Sequence, residues 1–177
     1  SSKDLQKWLF EKALTAAGPK GRKLLLANDQ RGREDALIGR LYFFKYDPKG
    51  KAYLPKYDKF PMVFPIEQYN DGFLGLNLHY LPLRYRLAFL SKLMDFASYD
   101  EANNIQRLRI TYDILRASKS LKEFKPCIKR YLTSNIRSKI LAIQPNEWDV
   151  AVFLPMHQFK GASPQQVWQD SLEEMRK

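Results

Sequence analysis

The sequence predicts one α+β domain: a small, strongly bent antiparallel sheet or partly open barrel covered by helices, preceded by an N-terminal helical arm. Three observations carry that expectation. Between residues 41 and 80, short apolar runs are separated by Asp47-Pro48-Lys49-Gly50 and Asn70-Asp71-Gly72, which are turn and hairpin signals. On either side of that region apolar residues recur at helical spacing instead. A chain of 177 residues, 45% hydrophobic and 14% aromatic, can bury a core and is not a disordered basic tail.

Residues 1–38 read as an N-terminal helix and basic arm, and residues 39–177 as the α+β body. Asp4 can cap a helix whose Leu5, Trp8, Leu9, Ala13 and Ala16 share one face, and Gly18-Pro19 ends it. Beyond it, Leu24-Leu25-Leu26 either pins a charged arm to the body or forms a short helix over 22–28. Leu41–Tyr46 is a predicted strand. Met62–Gln68 and Phe73–Tyr80 form a predicted hairpin around Asp71-Gly72. Pro61 and Pro65 cannot donate ladder hydrogen bonds, so the first of these strands should lie at an edge or carry a bulge.

The spacing then predicts a helix over 83–96 (Leu87, Leu90, Met94) and a second over 103–117, where Arg109–Ile114 also passes as a strand. Ile128, Tyr131 and Leu132 suggest a helix over 126–135. Ile136–Ile143 and Asp149–Leu154 read as strands. The last helix is the best signed: Ser163 caps, Pro164 takes the first position, and Val167, Trp168, Leu172 and Met175 form its buried face. Strands this short and this punctuated by Pro and Gly must curl to protect their edges, which is the basis for a bent sheet or barrel.

Composition excludes much chemistry. Cys127 is the only cysteine, so neither a disulfide framework within this chain nor a cysteine-based zinc site can form. His79 and His157 are too few for a multi-histidine metal cage. No run approaches the roughly 18 apolar residues that span a bilayer, and no signal-peptide core opens the sequence, so a soluble protein without a membrane partner is expected. No Walker, Rossmann or catalytic-triad pattern is present, and no cofactor is expected.

The net charge of +11 points to a polyanionic partner, and its distribution is informative. Residues 84–144 carry +8, against +4 for 1–40, +1 for 41–83 and −2 for 145–177. Within that stretch Lys119, Lys122, Lys125, Lys129, Arg130, Arg137 and Lys139 face a single acid, Glu123. These seven cations are the candidate polyanion-binding set.

The runs Leu41-Tyr42-Phe43-Phe44-Lys45-Tyr46-Asp47-Pro48-Lys49, Leu54–Glu67 and Tyr69-Asn70-Asp71-Gly72-Phe73-Leu74-Gly75-Leu76-Asn77-Leu78-His79-Tyr80-Leu81-Pro82 have a recognisable character. Phe124–Leu132 and Val167-Trp168-Gln169-Asp170-Ser171 extend it. Over roughly residues 39–172 the chain resembles the DNA end-protector, or head-completion, proteins of large contractile-tailed bacteriophages. The resemblance implies a virion protein that caps the ends of linear phage DNA, shields them from a host exonuclease and completes the packaged head. It also implies a place in the virion and, after DNA delivery, in the host cytoplasm. It assigns no residue-level DNA contacts.

Lysines and arginines that neutralise phosphates give strong, salt-sensitive, sequence-blind binding. Aromatic rings stack on exposed terminal bases for about 1–3 kcal/mol each. Tyr131 lies inside the cationic cluster and Tyr85 near it in sequence, which makes them the candidates for base stacking, with Tyr46 and Tyr80 also nearby. The alternative is that the charges form a solvated face and the tyrosines belong to the core.

A portal or neck adaptor of the phage particle is the competing function. There the positive charge merely tolerates nearby DNA, while portal or neck proteins are the partners. A third reading is a metal-dependent nuclease, with Asp113 and Glu123-Phe124-Lys125 at the loose spacing of a carboxylate pair and a lysine around Mg²⁺. Pro126 ends that run, so it reads as a polar loop rather than the central strand such a site needs. Cys127, flanked by cations, is either a thiolate or a small packing residue. His79 reads as a hydrogen-bonded structural histidine.

Overall fold

The computed structural model describes residues 40–97, 124–143 and 147–177. Five antiparallel strands form the main sheet: β1 (Leu41–Phe43), β3 (Met62–Tyr69), β4 (Gly72–Asn77), β5 (Ile128–Leu132) and β6 (Leu141–Ile143), in the order β5-β4-β3-β1-β6. Two short strands, β2 (Tyr57–Asp58) and β7 (Phe159–Lys160), make a separate ladder. Three helices accompany them: α1 (Leu83–Ala97), α2 (Trp148–Phe153) and α3 (Pro164–Arg176). The fold is α+β, and among the described residues the sheet does not close into a barrel.

The sheet is bent so that chain beyond β1 meets chain beyond β5. Tyr46 bridges Ile136, the Asp47 amide donates to the Asn135 carbonyl at 3.0 Å, and the Arg137 amide donates to the Lys45 carbonyl at 2.9 Å. Each face of the sheet therefore has its own core. One face packs Phe43, Met62, Phe64, Leu76, Phe89 and Trp148 beneath the helices. The other packs Tyr42, Phe44, Tyr46, Val63, Phe73, Tyr131 and Ile136.

The hairpin at Asp71-Gly72 forms as expected, with Tyr69 opposite Gly72. β3 is a central strand rather than an edge, and it carries the expected bulge: its register with β4 shifts between Pro65 and Glu67. The ladder so tolerates a residue without an N–H. Gly72 is required by close approach, because a Cβ there would run into the Tyr131 backbone of β5. The strand expected to reach Tyr80 stops at Asn77, where the Asn77 side chain accepts from the His79 amide and starts a 3₁₀ turn over Leu78–Tyr80.

Two elements differ from the sequence expectation. Residues 126–135 are not a helix; β5 occupies Ile128–Leu132, with 3₁₀ turns at Lys125–Cys127 and Thr133–Asn135. A five-residue apolar and basic run fits either period, and the free edge of β4 decides it by offering a complete ladder. Residues 149–154 are not a strand but largely the helix α2. Trp148, Ala151 and Val152 are all buried, and that i, i+3, i+4 set outweighs the strand preference of two valines. Strand character over 136–143 is confined to Leu141–Ile143 and the Ile136 bridge. The expected helices at 1–16 and 103–117, and the arm between 18 and 38, lie outside the described residues.

Helix α1 spans 83–97 and α3 begins as its signature predicts, with Ser163 accepting from the Gln166 amide at 3.2 Å. Among the described residues no helix is long and apolar enough to cross a membrane.

Candidate nucleic-acid interface

Among the described residues β5 is an edge strand, and strand alternation sends Lys129 and Tyr131 to one face and Arg130 to the other. Charged residues on an exposed edge also discourage pairing with another chain. Arg130 is positioned by the hairpin turn: its guanidinium lies 3.9 Å from the Tyr69 ring centroid and pairs with Asp71. Lys129 is half-buried, with its ammonium 4.3 Å from the Tyr80 ring centroid. Burial holds the Lys129 pKa below the usual lysine range.

A groove of about 390 Å³ lies between this strand and the loop 47–56. Lys49, Lys56, Lys129 and Arg130 border it. Tyr46, Tyr57, Tyr80 and Tyr131 contribute aromatic surface to its walls. Three contacts fix its frame. The Tyr46 hydroxyl accepts from the Leu132 amide at 2.8 Å, tying β5 to the chain beyond β1. Lys56 pairs with Asp170 at 2.8 Å, tying the loop to α3. Lys51 pairs with Asp47 at 2.9 Å across the base of the loop.

Beneath the groove lies a buried polar network. Asp58 accepts from the amides of Phe60 and Gln158 through Oδ1, and contacts Asn77 Nδ2 and His79 Nδ1 through Oδ2 at 3.1 and 2.7 Å. Burial alone would raise the Asp58 carboxyl, but His79, the Gln158 amide and Asn77 together hold it below the usual carboxylate range. Burial depresses His79 more than Asp58 raises it, so the ring is neutral and donates from Nδ1 to the carboxylate. Half-buried His157, pushed down to about 4 chiefly by burial, packs against His79, Phe159 and Trp168. Trp168 donates its indole N–H to the His79 carbonyl at 2.8 Å, which anchors α3. Arg86 is buried and gives its guanidinium to the carbonyls of Leu81, Val152 and His79, with burial lowering its pKa to about 10.

Of the seven cations expected to bind DNA, Lys119 and Lys122 lie outside the described residues. Lys129 and Arg130 border the groove, whereas Lys125, Arg137 and Lys139 are exposed and do not line it. Arg137 donates to the Ser134 carbonyl and sits 3.8 Å from Asp47. Tyr131 is 5% exposed, its ring packed edge-on against Phe44 and Tyr46. Tyr85 packs against the helical core with Arg84 4.9 Å from its ring centroid, away from the groove. Cys127 is fully buried and burial pushes its thiol up, which corrects the thiolate reading: the neighbouring cations lower the pKa less than desolvation raises it. His79 is the hydrogen-bonded structural histidine expected of it. Asp113 and Glu123 lie outside the described residues, and among those described no group of three or more His, Cys, Asp or Glu is placed to hold a metal.

The loop supplies residues that the sequence reading passed over. Tyr53 is 93% exposed, between Lys51 and Lys56, and Leu54 beside it is 43% exposed. The signal was present as lysines interleaved with aromatics over 49–57, but a turn assignment absorbed it.

The described body is thus an α+β protein with a groove along one sheet edge, bordered by four cations and walled by tyrosines. The family model of the phage T4 terminal DNA protecting protein matches residues 27–171, so the chain belongs to that family. No curated protein and no solved structure matches the chain. The match encloses every described element up to Ser171.

Proposed function

We propose that this chain is a non-enzymatic virion protein that binds the ends of linear phage DNA and occludes them from a host exonuclease, completing the packaged head. The observation that carries the reading is the convergence of Lys49, Lys56, Lys129 and Arg130 on an edge groove in a member of a terminal DNA protecting family. Lys125, Arg137 and Lys139, with Lys119 and Lys122, extend the positive charge available to backbone phosphates. Exposed Tyr53 is suited to stack on a terminal base pair, whose outer face has no neighbour in the duplex. Tyr131, buried as it is, supports β5 from beneath, and Tyr85 contributes at most through a more distant surface. Occlusion follows from occupancy and needs no chemistry. Portal or neck proteins are the expected partners in the particle.

The test is protection of linear duplex from a processive double-strand exonuclease. Capping predicts that the protein required scales with the molar concentration of ends, so a short and a much longer duplex at equal end concentration need equal protein. A requirement that scales with total base pairs would instead describe a coating protein and contradict end capping.

A further inference from the structure

We propose that the groove between the 47–56 loop and β5 is a pocket for one nucleoside monophosphate, occupied in the DNA complex by the unpaired terminal nucleotide of a strand. The pocket itself stands on its geometry; the source of its ligand rests on the end-binding reading above.

Size comes first. About 390 Å³ falls within the range of small-ligand pockets, the scale of a single nucleotide. A duplex end would fill it with one frayed or overhanging nucleotide, and such a base costs least to unstack. Chemistry comes second. Half-buried Tyr57 offers ring surface to any base, while the buried Tyr46, Tyr80 and Tyr131 close the wall behind it, so occupancy does not depend on sequence.

Lys129 is the third and strongest element. Its half-buried ammonium lies against Tyr80, and among the described residues it has no carboxylate within ion-pair distance. Lys56 is matched by Asp170 and Arg130 by Asp71, so among the described residues Lys129 and exposed Lys49 are the border cations without a direct ion pair, Glu174 acting on Lys129 only from a distance. A partly desolvated cation without a direct partner is costly, and a bound phosphate offsets that cost. Asp58 also lines the groove, but hydrogen bonds from Phe60, Gln158, Asn77 and His79 use both its oxygens. Its charge disfavours a phosphate beside it, which assigns the phosphate to the Lys129 and Lys49 side and the base to the tyrosines.

The experiment titrates the full chain with deoxyadenosine monophosphate by calorimetry, with inorganic phosphate as a second probe. Open duplex and duplex closed by terminal hairpins are compared in parallel. The expected result is saturable binding at one site, weaker for phosphate alone, reduced at least about tenfold by Lys129→Gln and about threefold by Lys49→Gln, as each removes one charge-assisted hydrogen bond. Lys177→Gln, just beyond α3 and outside the groove, leaves it unchanged. Lys49 is on an exposed loop, so its variant reports even where Lys129→Gln fails to fold. Absence of saturable nucleotide binding, or binding indifferent to both groove variants, overturns the pocket even where open ends are still preferred. Nucleotide binding with the expected losses but no preference for open ends upholds the pocket and rejects the end-binding reading instead.

Discussion

At the residue scale, the groove's function depends on where charge is left uncompensated. Lys129→Ala combined with Arg130→Ala should weaken binding to linear duplex and make the slope of log affinity against log salt shallower by about 1–2, one for each phosphate no longer neutralised. Fluorescence anisotropy over a salt series measures this directly; an unchanged slope would remove both residues from the interface. Arg86 carries the opposite kind of role, since its three carbonyl acceptors tie the 79–81 turn to Val152 of α2 behind the site. Arg86→Met leaves those carbonyls unsatisfied, and it should cost about 3 kcal/mol or more in chemical denaturation. The two histidines make stability depend on pH. Both are held neutral with depressed pKa values, His157 at about 4 against an ordinary 6.5, so the unfolded chain binds more protons below pH 6.5. Their contribution is complete above about pH 6.5 and is lost as the pH falls toward 4. The melting temperature should fall across that window, and His157→Gln should make the fall shallower. A melting temperature flat from pH 7 to 4 would contradict the assignment.

At the element scale, β5 is the part that matters and the part hardest to read in advance. Its neighbours were legible: the Asp71-Gly72 hairpin, the bulge forced by Pro65 and the Ser163 cap each follow from local chemistry with few alternatives. Ile128, Tyr131 and Leu132 satisfy a helical period as well as a strand one, and only the open edge of β4 chooses between them. For α2, two valines argued for a strand while burial of Trp148 against Phe64 and the sheet required a helical turn. The site was legible in part for the same reason. The excess of positive charge on 119–139 was visible, but the approach of the 47–56 loop to β5 depends on contacts such as Lys56 with Asp170, more than a hundred residues apart. Gly72 tests the registration of the strand. Gly72→Ala places a methyl against the Tyr131 backbone, which displaces β5 or twists β4, and it should destabilise by about 1–3 kcal/mol while weakening DNA binding. Wild-type stability in that variant would mean that β5 is not held as closely as described.

At the scale of the whole molecule, the sheet carries two cores, one under the helices and one closed over by the chain beyond β1 and β5. That second core stiffens an edge that would otherwise be free to fray. The groove opens where the two chain extensions and the 47–56 loop meet, and α3 braces it through Asp170 and Trp168. A rigid edge with cations and tyrosines suits the end of a duplex, where phosphates, an exposed base face and a frayed nucleotide occur together. The central claim is that this edge reads ends rather than polyanion in general. The direct measurement is competition in fluorescence anisotropy: a labelled linear duplex displaced by the same unlabelled duplex, either open or closed by hairpins at both termini. Closed DNA should compete far less well than open DNA. Equal competition by both, abolished alike by salt, would contradict it and leave the protein a general polyanion binder.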